Sequence, residues 1–251
     1  MIYLVEHFYS IQGEGKYLGR PSVFFRFGGC NLTCKGFGCR EFLPDGTELV
    51  GCDTLYAVSR EFSKNWVPIK NSSALVAILK RYDLDFCVDI VFTGGEPLIN
   101  ANDKEFVAFL EYLVHKGHRV TFETNATILP DFAKYPVYKE CVYALSVKLA
   151  NSLEPYEKRI KPEVIAKIAL KAKEAFFKFS IDKNSIDASL DTQIEEITSY
   201  APLLEVYCMP VGGSKKMVEH NTLALIEYVK AKGYIYSDRL HIRIWDENKG
   251  V

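Results

Sequence analysis

Val88-Asp-Ile-Val-Phe-Thr-Gly-Gly-Glu-Pro97, with a helical pattern over Asp103–Lys116 and a second apolar run over Arg119–Glu123 behind it, decides the fold. Val88–Thr93 is rich in β-branched and aromatic side chains and ends in a glycine pair, which predicts a strand. Asn102 or Asp103 can cap the helix that carries Phe106, Phe109 and Leu110, and Gly117 closes it. Strand, helix and strand in this order predict a parallel βαβ unit. The same rhythm extends both ways. Further strands are predicted at Ser22–Phe27, Val142–Val147, Ala175–Ile181, Leu203–Met209 and Leu240–Trp245. Further helices are predicted at Ser73–Tyr82, Pro162–Lys173, Leu190–Tyr200 and Val218–Lys232, the last closed by Gly233. The pattern is that of an α/β protein, read as a single domain over 1–251 with no internal repeat or linker.

A chain of 251 residues is long enough to bury roughly 70–75% of the surface it exposes when unfolded. Its formal net charge of −1 and pI near 6.5 give no basic footprint, so neither nucleic acid nor a membrane surface is expected as a partner. The opening Met1–Gly15 lacks a basic region followed by an apolar core, and no apolar run reaches the ~18 residues of a membrane span. The expected location is the cytoplasm.

The chain has seven cysteines. Cys87, Cys141 and Cys208 stand singly among apolar residues and read as small core side chains. Cys30 stands just before, and Cys34, Cys39 and Cys52 lie within, a long, glycine-rich stretch from Asn31 to about Lys70, where part of the chain can form a small helix or hairpin. A long loop in a compact domain is usually functional. Cys30 and Cys34 are close enough to share one metal centre, and Cys39 and Cys52 compete for the third place. Spacing alone leaves open a 4Fe–4S cluster with one free iron, a four-thiolate zinc site, or unligated thiols.

Ligands bind at the carboxyl ends of parallel strands, and several strand ends here are polar or glycine-rich. They are Gly28-Gly29-Cys30, Gly94-Gly95-Glu96-Pro97, Glu123-Thr124-Asn125, Ser146 with Lys148, and Pro210 with Gly212 and Gly213. Glycines admit a ligand to the main chain, and Glu96 suits an ammonium group. The plain alternative is a tight turn with a solvated glutamate.

The segments Ser10-Ile-Gln-Gly-Glu-Gly15, Phe25-Arg-Phe-Gly-Gly-Cys-Asn-Leu32, Cys52-Asp-Thr54, Thr93–Pro97, Glu123-Thr-Asn125 and Ser146-Val-Lys148 resemble, in order, those of the 7-carboxy-7-deazaguanine synthase family of radical S-adenosylmethionine (SAM) enzymes. The resemblance implies a shortened, partly open TIM-like barrel of about six parallel strands with a cysteine-bearing loop insertion, in a homodimer. It implies conversion of 6-carboxy-5,6,7,8-tetrahydropterin to 7-carboxy-7-deazaguanine with loss of ammonia, in queuosine and 7-deazapurine biosynthesis. It also implies SAM at the open iron, abstraction of hydrogen from the pterin C6 with SAM regenerated, a bound magnesium ion, and an electron donor such as flavodoxin or ferredoxin.

Carried over by position, Cys30, Cys34 and Cys52 would hold the cluster and Thr54 the magnesium, a hard ion that favours oxygen. Gly95 and Glu96 would hold the amino end of SAM, and Glu123 and Asn125 would face its ribose. Ser146, Val147 and Lys148 align with a SAM-binding segment, as do Met209, Pro210, Val211 and Gly212. Ile11, Gln12, Gly13 and Glu14 would read the pterin edge, Thr93 would touch it, and Arg26 would pair with its carboxylate, a match for the planar guanidinium. Each has an ordinary alternative: Gln12 and Glu14 as turn residues, Arg26 paired with a nearby acid, Lys148 as a solvated charge, Thr54 as a helix cap.

The chain departs from the family's usual CxxxCxxC spacing. Lys35–Gly51 reads as an insertion, Cys52 as the third ligand because it begins Cys-Asp-Thr, and Cys39 as its rival. Gly51 stands where an aromatic residue often packs on adenine, leaving Phe37, Phe42 or Tyr56 for that place. His241 is offset from a family Thr-His-Lys segment and reads as a core or surface histidine, while Val251 could bring a terminal carboxylate to the substrate. Two rival readings remain: a glycyl-radical activase or other radical SAM enzyme, and a non-catalytic zinc- or cluster-binding adaptor.

Overall fold

The structure is a computed structural model and describes residues 1–251, the side chain of Ala188 excepted. Its strands are β1 (Ile2–Ile11), β2 (Pro21–Phe27), β3 (Cys39–Phe42), β4 (Glu48–Gly51), β5 (Val67–Ile69), β6 (Asp89–Gly94), β7 (Val120–Thr124), β8 (Val142–Leu145), β9 (Glu174–Ile181), β10 (Val206–Pro210) and β11 (Ile235–Tyr236). Its α-helices are α1 (Leu55–Val58), α2 (Ser72–Lys80), α3 (Lys104–His115), α4 (Tyr156–Arg159), α5 (Pro162–Lys171), α6 (Ala188–Ser199), α7 (Lys215–Lys232) and α8 (Leu240–Trp245). No helix among the described residues is long and apolar enough to cross a membrane.

Nine strands form one sheet in the order β11-β10-β9-β8-β7-β6-β2-β1-β5. From β2 to β11 every pairing is parallel; β1 runs antiparallel to both β2 and β5. Alternation along each strand sorts side chains to two faces. On β2, Phe25 and Phe27 point to the helical layer and meet Phe109 and Phe106 of α3, both pairs at 5.1 Å between ring centroids. Phe92 of β6 and Phe122 of β7 join them edge-on at 5.4 Å. All six rings are fully buried, each contributing about 2–3 kcal/mol relative to exposure. Asp103 caps α3 through hydrogen bonds from the Glu105 and Phe106 amides, as the sequence predicts. The opposite face holds a smaller apolar group, Val142, Ala144, Phe176 and Tyr207, beside buried Phe24, Val91 and Met209, and also carries polar side chains such as Arg26, Thr93 and Lys178.

Cys141 and Cys208 are buried, but Cys87 is exposed rather than a core side chain, and three expectations about elements change. Leu240–Trp245 is the helix α8 rather than a strand. Its alternation of Leu240, Ile242 and Ile244 imitates a strand, but the Leu240 amide bonds to Gly13 O and the Arg243 amide to Arg239 O. The strand expected from Leu203 begins only at Val206, because a turn closed by Leu204 N and Ala201 O leaves Leu203 exposed. The long strand β1 was not expected at all: its Glu6, His7 and Ser10 interrupt the apolar pattern. In the cysteine stretch, β3 and β4 form a separate hairpin in which Cys39 faces Gly51. That pairing brings the end of the insertion back beside its start.

Candidate active site

The carboxyl ends of the parallel strands, the β1–β2 turn, the cysteine hairpin and residues 246–251 enclose one cavity of about 750 Å³. Cys30, Cys34, Cys39 and Cys52 all line it. Cys30 follows β2, and its Sγ accepts from Leu32 N at 3.4 Å and faces Asn125 Nδ2 at 3.9 Å. Cys34 has a left-handed backbone with φ 47°, unusual for a side-chain-bearing residue. Glu154 fixes this turn: one carboxylate oxygen accepts from Thr33 N at 2.5 Å, Thr33 Oγ1 at 2.7 Å and Cys34 N at 2.7 Å. Cys52 Sγ lies 3.4 Å from Thr54 Oγ1.

Burial pushes the Cys30 and Cys34 thiols up to about 12, and Cys52 is raised by the same cause. Cys30 is raised further by Glu96 and then by Cys34 and Cys52, and Cys52 also raises Cys34 and Cys39, so the thiols share one electrostatic neighbourhood. Cys39, also raised chiefly by burial, responds to Asp53 and then Cys52; its Sγ sits beside Gly213. Four soft donors around one cavity are enough for an iron–sulfur cluster, whose charge can hold its ligands as thiolates. Among the described residues, no three His, Cys, Asp or Glu side chains converge on a single-ion site.

The glycine pair serves the fold first. A Cβ at Gly94 would lie 2.1 Å from Phe27 O, and one at Gly95 2.1 Å from Gly29 O. The two strand-end loops therefore touch through backbone alone. Glu96 is fully buried and does not itself line the cavity, but it lies behind Thr124 and Asn125, which do, and acts on Cys30. Its carboxyl accepts from Leu98 N, Thr124 Oγ1 and Asn125 N at 3.0, 2.8 and 2.7 Å. Burial pushes its pKa up to about 7 against these donors. The Val147 side chain lies in the helix-side core, and Pro210 is buried as the last residue of β10, so neither lines the cavity. Gly95, Asn125, Ser146, Lys148, Met209, Val211 and Gly212 do line it, with Lys148 Nζ donating to Ser146 Oγ at 2.9 Å.

Deeper in, Ile11, Gln12, Gly13, Glu14, Arg26, Thr93 and Glu123 line the same cavity. Arg26 Nε donates to Glu6 Oε1 at 2.6 Å, and Tyr56 OH reaches the same oxygen at 2.8 Å. That bond leaves the outer edge of the guanidinium facing the cavity. Glu123 sits apart from Asn125: it accepts from Thr93 Oγ1 at 2.9 Å, Gln12 Nε2 at 3.4 Å and Lys178 Nζ at 3.0 Å. Lys178 also donates to Glu14 Oε2 at 2.7 Å, and Arg239 links Glu14 Oε1 at 2.8 Å to Asp53 Oδ2 at 2.6 Å. Burial would raise Glu14, but Lys178 and Arg239 override it and hold the carboxyl well below its usual range.

Lys178, Arg239, Glu6 and Glu154 escape sequence reading, and Tyr56, named only as a candidate to pack on adenine, donates to Glu6 Oε1. Lys178 alone left a signal, as a charge within the apolar run Ala175–Ile181. Thr54 begins α1 but makes no capping bond; its hydroxyl turns to Cys52 and to Gly94 O at 3.4 Å. His241 is at the cavity, not in the core or on the surface, which corrects its expected place. A Cβ on Gly13 would lie 2.1 Å from His241 Nδ1. Gly13→Ala should therefore displace the β1–β2 turn at a cost of about 1–3 kcal/mol, read as a ten- to hundredfold fall in kcat/KM. Val251 also lines the cavity, beneath a contact between Lys249 Nζ and Glu41 Oε1 of the hairpin at 2.5 Å.

A protein family described as a 4Fe-4S single cluster domain matches residues 11–165. The 7-carboxy-7-deazaguanine synthase of Hyperthermus butylicus is 31% identical over 96% of this chain and 92% of its own length. That of Rhodopirellula baltica is 28% identical over 98% and 87%. Among solved structures, QueE from Escherichia coli superposes with a TM-score of 0.64 at 19% identity, covering 96% of this chain and 94% of its own. Streptococcus suis SuiB bound to S-adenosylmethionine superposes at 0.51 and 11% identity, over 85% of this chain and 51% of its own. The last two likenesses concern the fold: an α/β architecture around a largely parallel sheet.

Proposed function

This chain belongs to the 7-carboxy-7-deazaguanine synthase family, and we propose that its cavity converts 6-carboxy-5,6,7,8-tetrahydropterin to 7-carboxy-7-deazaguanine with loss of ammonia. It is a radical SAM enzyme of queuosine biosynthesis that carries a 4Fe–4S cluster. Membership sets aside the activase and the zinc adaptor. The observation that carries the site reading is that one cavity joins an end lined by four thiols to a carboxylate-and-guanidinium end.

Cys30, Cys34 and Cys52 hold the cluster in this reading. The cluster and SAM, when bound, supply the radical chemistry; the protein supplies position and a dry site. Gly95 offers backbone to SAM, and Ser146, Lys148, Met209, Val211 and Gly212 flank it. Glu96, Val147 and Pro210 act from behind, by shaping the loops. Thr54, which caps nothing, would turn its hydroxyl from its contacts with Cys52 and Gly94 O to magnesium. Arg26, its Nε steadied by Glu6, presents two terminal nitrogens to the substrate carboxylate. Gln12, with its amide oriented by the Glu14 N–H and Glu123, and Glu14 itself read the N–H edge of the pterin. Tail residues up to Val251 close the mouth. We further read the sheet as a shortened, partly open barrel in a single domain, and the protein as a cytoplasmic homodimer reduced by a flavodoxin or ferredoxin.

The test is product formation. Reconstituted anaerobically with reductant, SAM, magnesium and 6-carboxytetrahydropterin, the protein should form 7-carboxy-7-deazaguanine and ammonia in equal amounts, seen by mass spectrometry and ammonia assay. SAM cleavage without either product would assign the cavity to another substrate.

A further inference from the structure

Lys178 is a charged side chain at 4% exposure on the polar face of β9, between Phe177 and Phe179, which point into the helix-side core. Its Nζ bridges Glu14 Oε2 and Glu123 Oε1 at 2.7 and 3.0 Å. The two carboxylates come from different elements, the β1–β2 turn and β7, and both line the cavity. Arg239 assists Glu14 alone, since its other nitrogens go to Asp53 and to Gly212 O. Among the described residues, Lys178 is the one cation paired with Glu123. The remaining neighbours are Gln12 from the turn, Thr93 of β6, His241 of α8 and Arg26 of β2.

Two carboxylates gathered in a desolvated site favour sharing a proton once their common cation is gone. A carboxyl that gains a proton becomes a donor at one oxygen, which inverts what it can recognise. We propose that Lys178 is a positioning residue that holds Glu14 and Glu123 as a paired, acceptor-only reader, so that the site selects heterocycles presenting adjacent N–H donors. This deepens, and rests on, the pterin reading above. Burial opposes the charge on Lys178, but Glu123 and Glu14 raise its pKa above the ordinary lysine value, so the cation persists across the working range.

The test uses reconstituted holoprotein with Lys178→Gln, which keeps a donor but removes the charge, and the double variant Lys178→Gln/Glu14→Gln. In wild type, KM for 6-carboxytetrahydropterin should be flat between about pH 6 and 8. In Lys178→Gln, KM should rise about tenfold as pH falls by about one unit, with kcat little changed. An infrared band of a protonated carboxyl should grow in step. The double variant should lose both the slope and the band. A loss in Lys178→Gln that is equal at every pH and lacks the band would reduce Lys178 to a packing role and overturn the proposal, as would wild-type behaviour. If the single variant does not fold, a folded double variant supports carboxylate repulsion as the cause, and failure of both counts against it. If wild type forms no deazaguanine, the substrate reading fails, while the infrared comparison still decides whether Lys178 holds the pair.

Discussion

Cys52→Ala should yield a folded protein that retains no 4Fe–4S cluster and forms no product, while Cys39→Ala should keep its full complement of about four irons. Both thiols line the cavity, and both lie in or beside the hairpin. They differ in surroundings. Cys52 acts on both Cys30 and Cys34, whereas Cys39 is coupled to Cys52 alone among the thiols and sits by Gly213; both answer to Asp53 next after burial. The hairpin explains how a ligand so far along the chain reaches the others: the register Cys39 to Gly51 returns the chain beside Cys34. Iron and sulfide analysis with the visible spectrum of the reconstituted variants is the check. Loss of the cluster in Cys39→Ala with retention in Cys52→Ala would reverse the assignment.

Glu154→Ala should weaken cluster retention about ten- to hundredfold, the usual penalty for removing a group that orients a metal ligand. One carboxylate oxygen collects three donors from Thr33 and Cys34, and it does so where Cys34 holds a left-handed backbone. Without that anchor the turn relaxes to commoner conformations and Cys34 leaves the cluster side. Burial would raise the pKa of Glu154, but the Cys34 and Thr33 donors lower it overall. A lowered carboxylate stabilises the fold above its unfolded pKa, and that contribution is lost as pH falls through the folded value. Cluster loss in wild type should therefore accelerate on the acid side of about pH 4.5, and Glu154→Ala should remove that acid step. Cluster release timed by a chelator at several pH values measures both effects.

How much of this was legible beforehand follows from where each signal resides. The βαβ unit around Val88–Pro97 was readable because burial on one face and caps at Asp103 and Gly117 are local properties. Cys30, Cys34, Cys52, Arg26 and Thr93 were readable because they stand in short segments of family type. Glu154, Lys178 and Arg239 were not, since their meaning lies in contacts across long stretches of chain: Glu154 with Cys34, Lys178 with Glu14, Arg239 with Asp53. The bonding of Glu96 is hidden for a related reason. A carboxylate after a glycine pair looks available, and only packing reveals that Leu98, Thr124 and Asn125 already occupy it. α8 is not a strand: its alternation is shared by both structures, and the helical bond from Arg243 N to Arg239 O decides between them.

The central claim is that one cavity sets SAM against C6 of the pterin. Substrate carrying deuterium at C6, turned over by the reconstituted enzyme, tests it most directly. The account predicts deuterium in the SAM recovered afterwards, with many molecules of 7-carboxy-7-deazaguanine formed per SAM. Deuterium that never reaches SAM, or SAM consumed one for one with product, would contradict it.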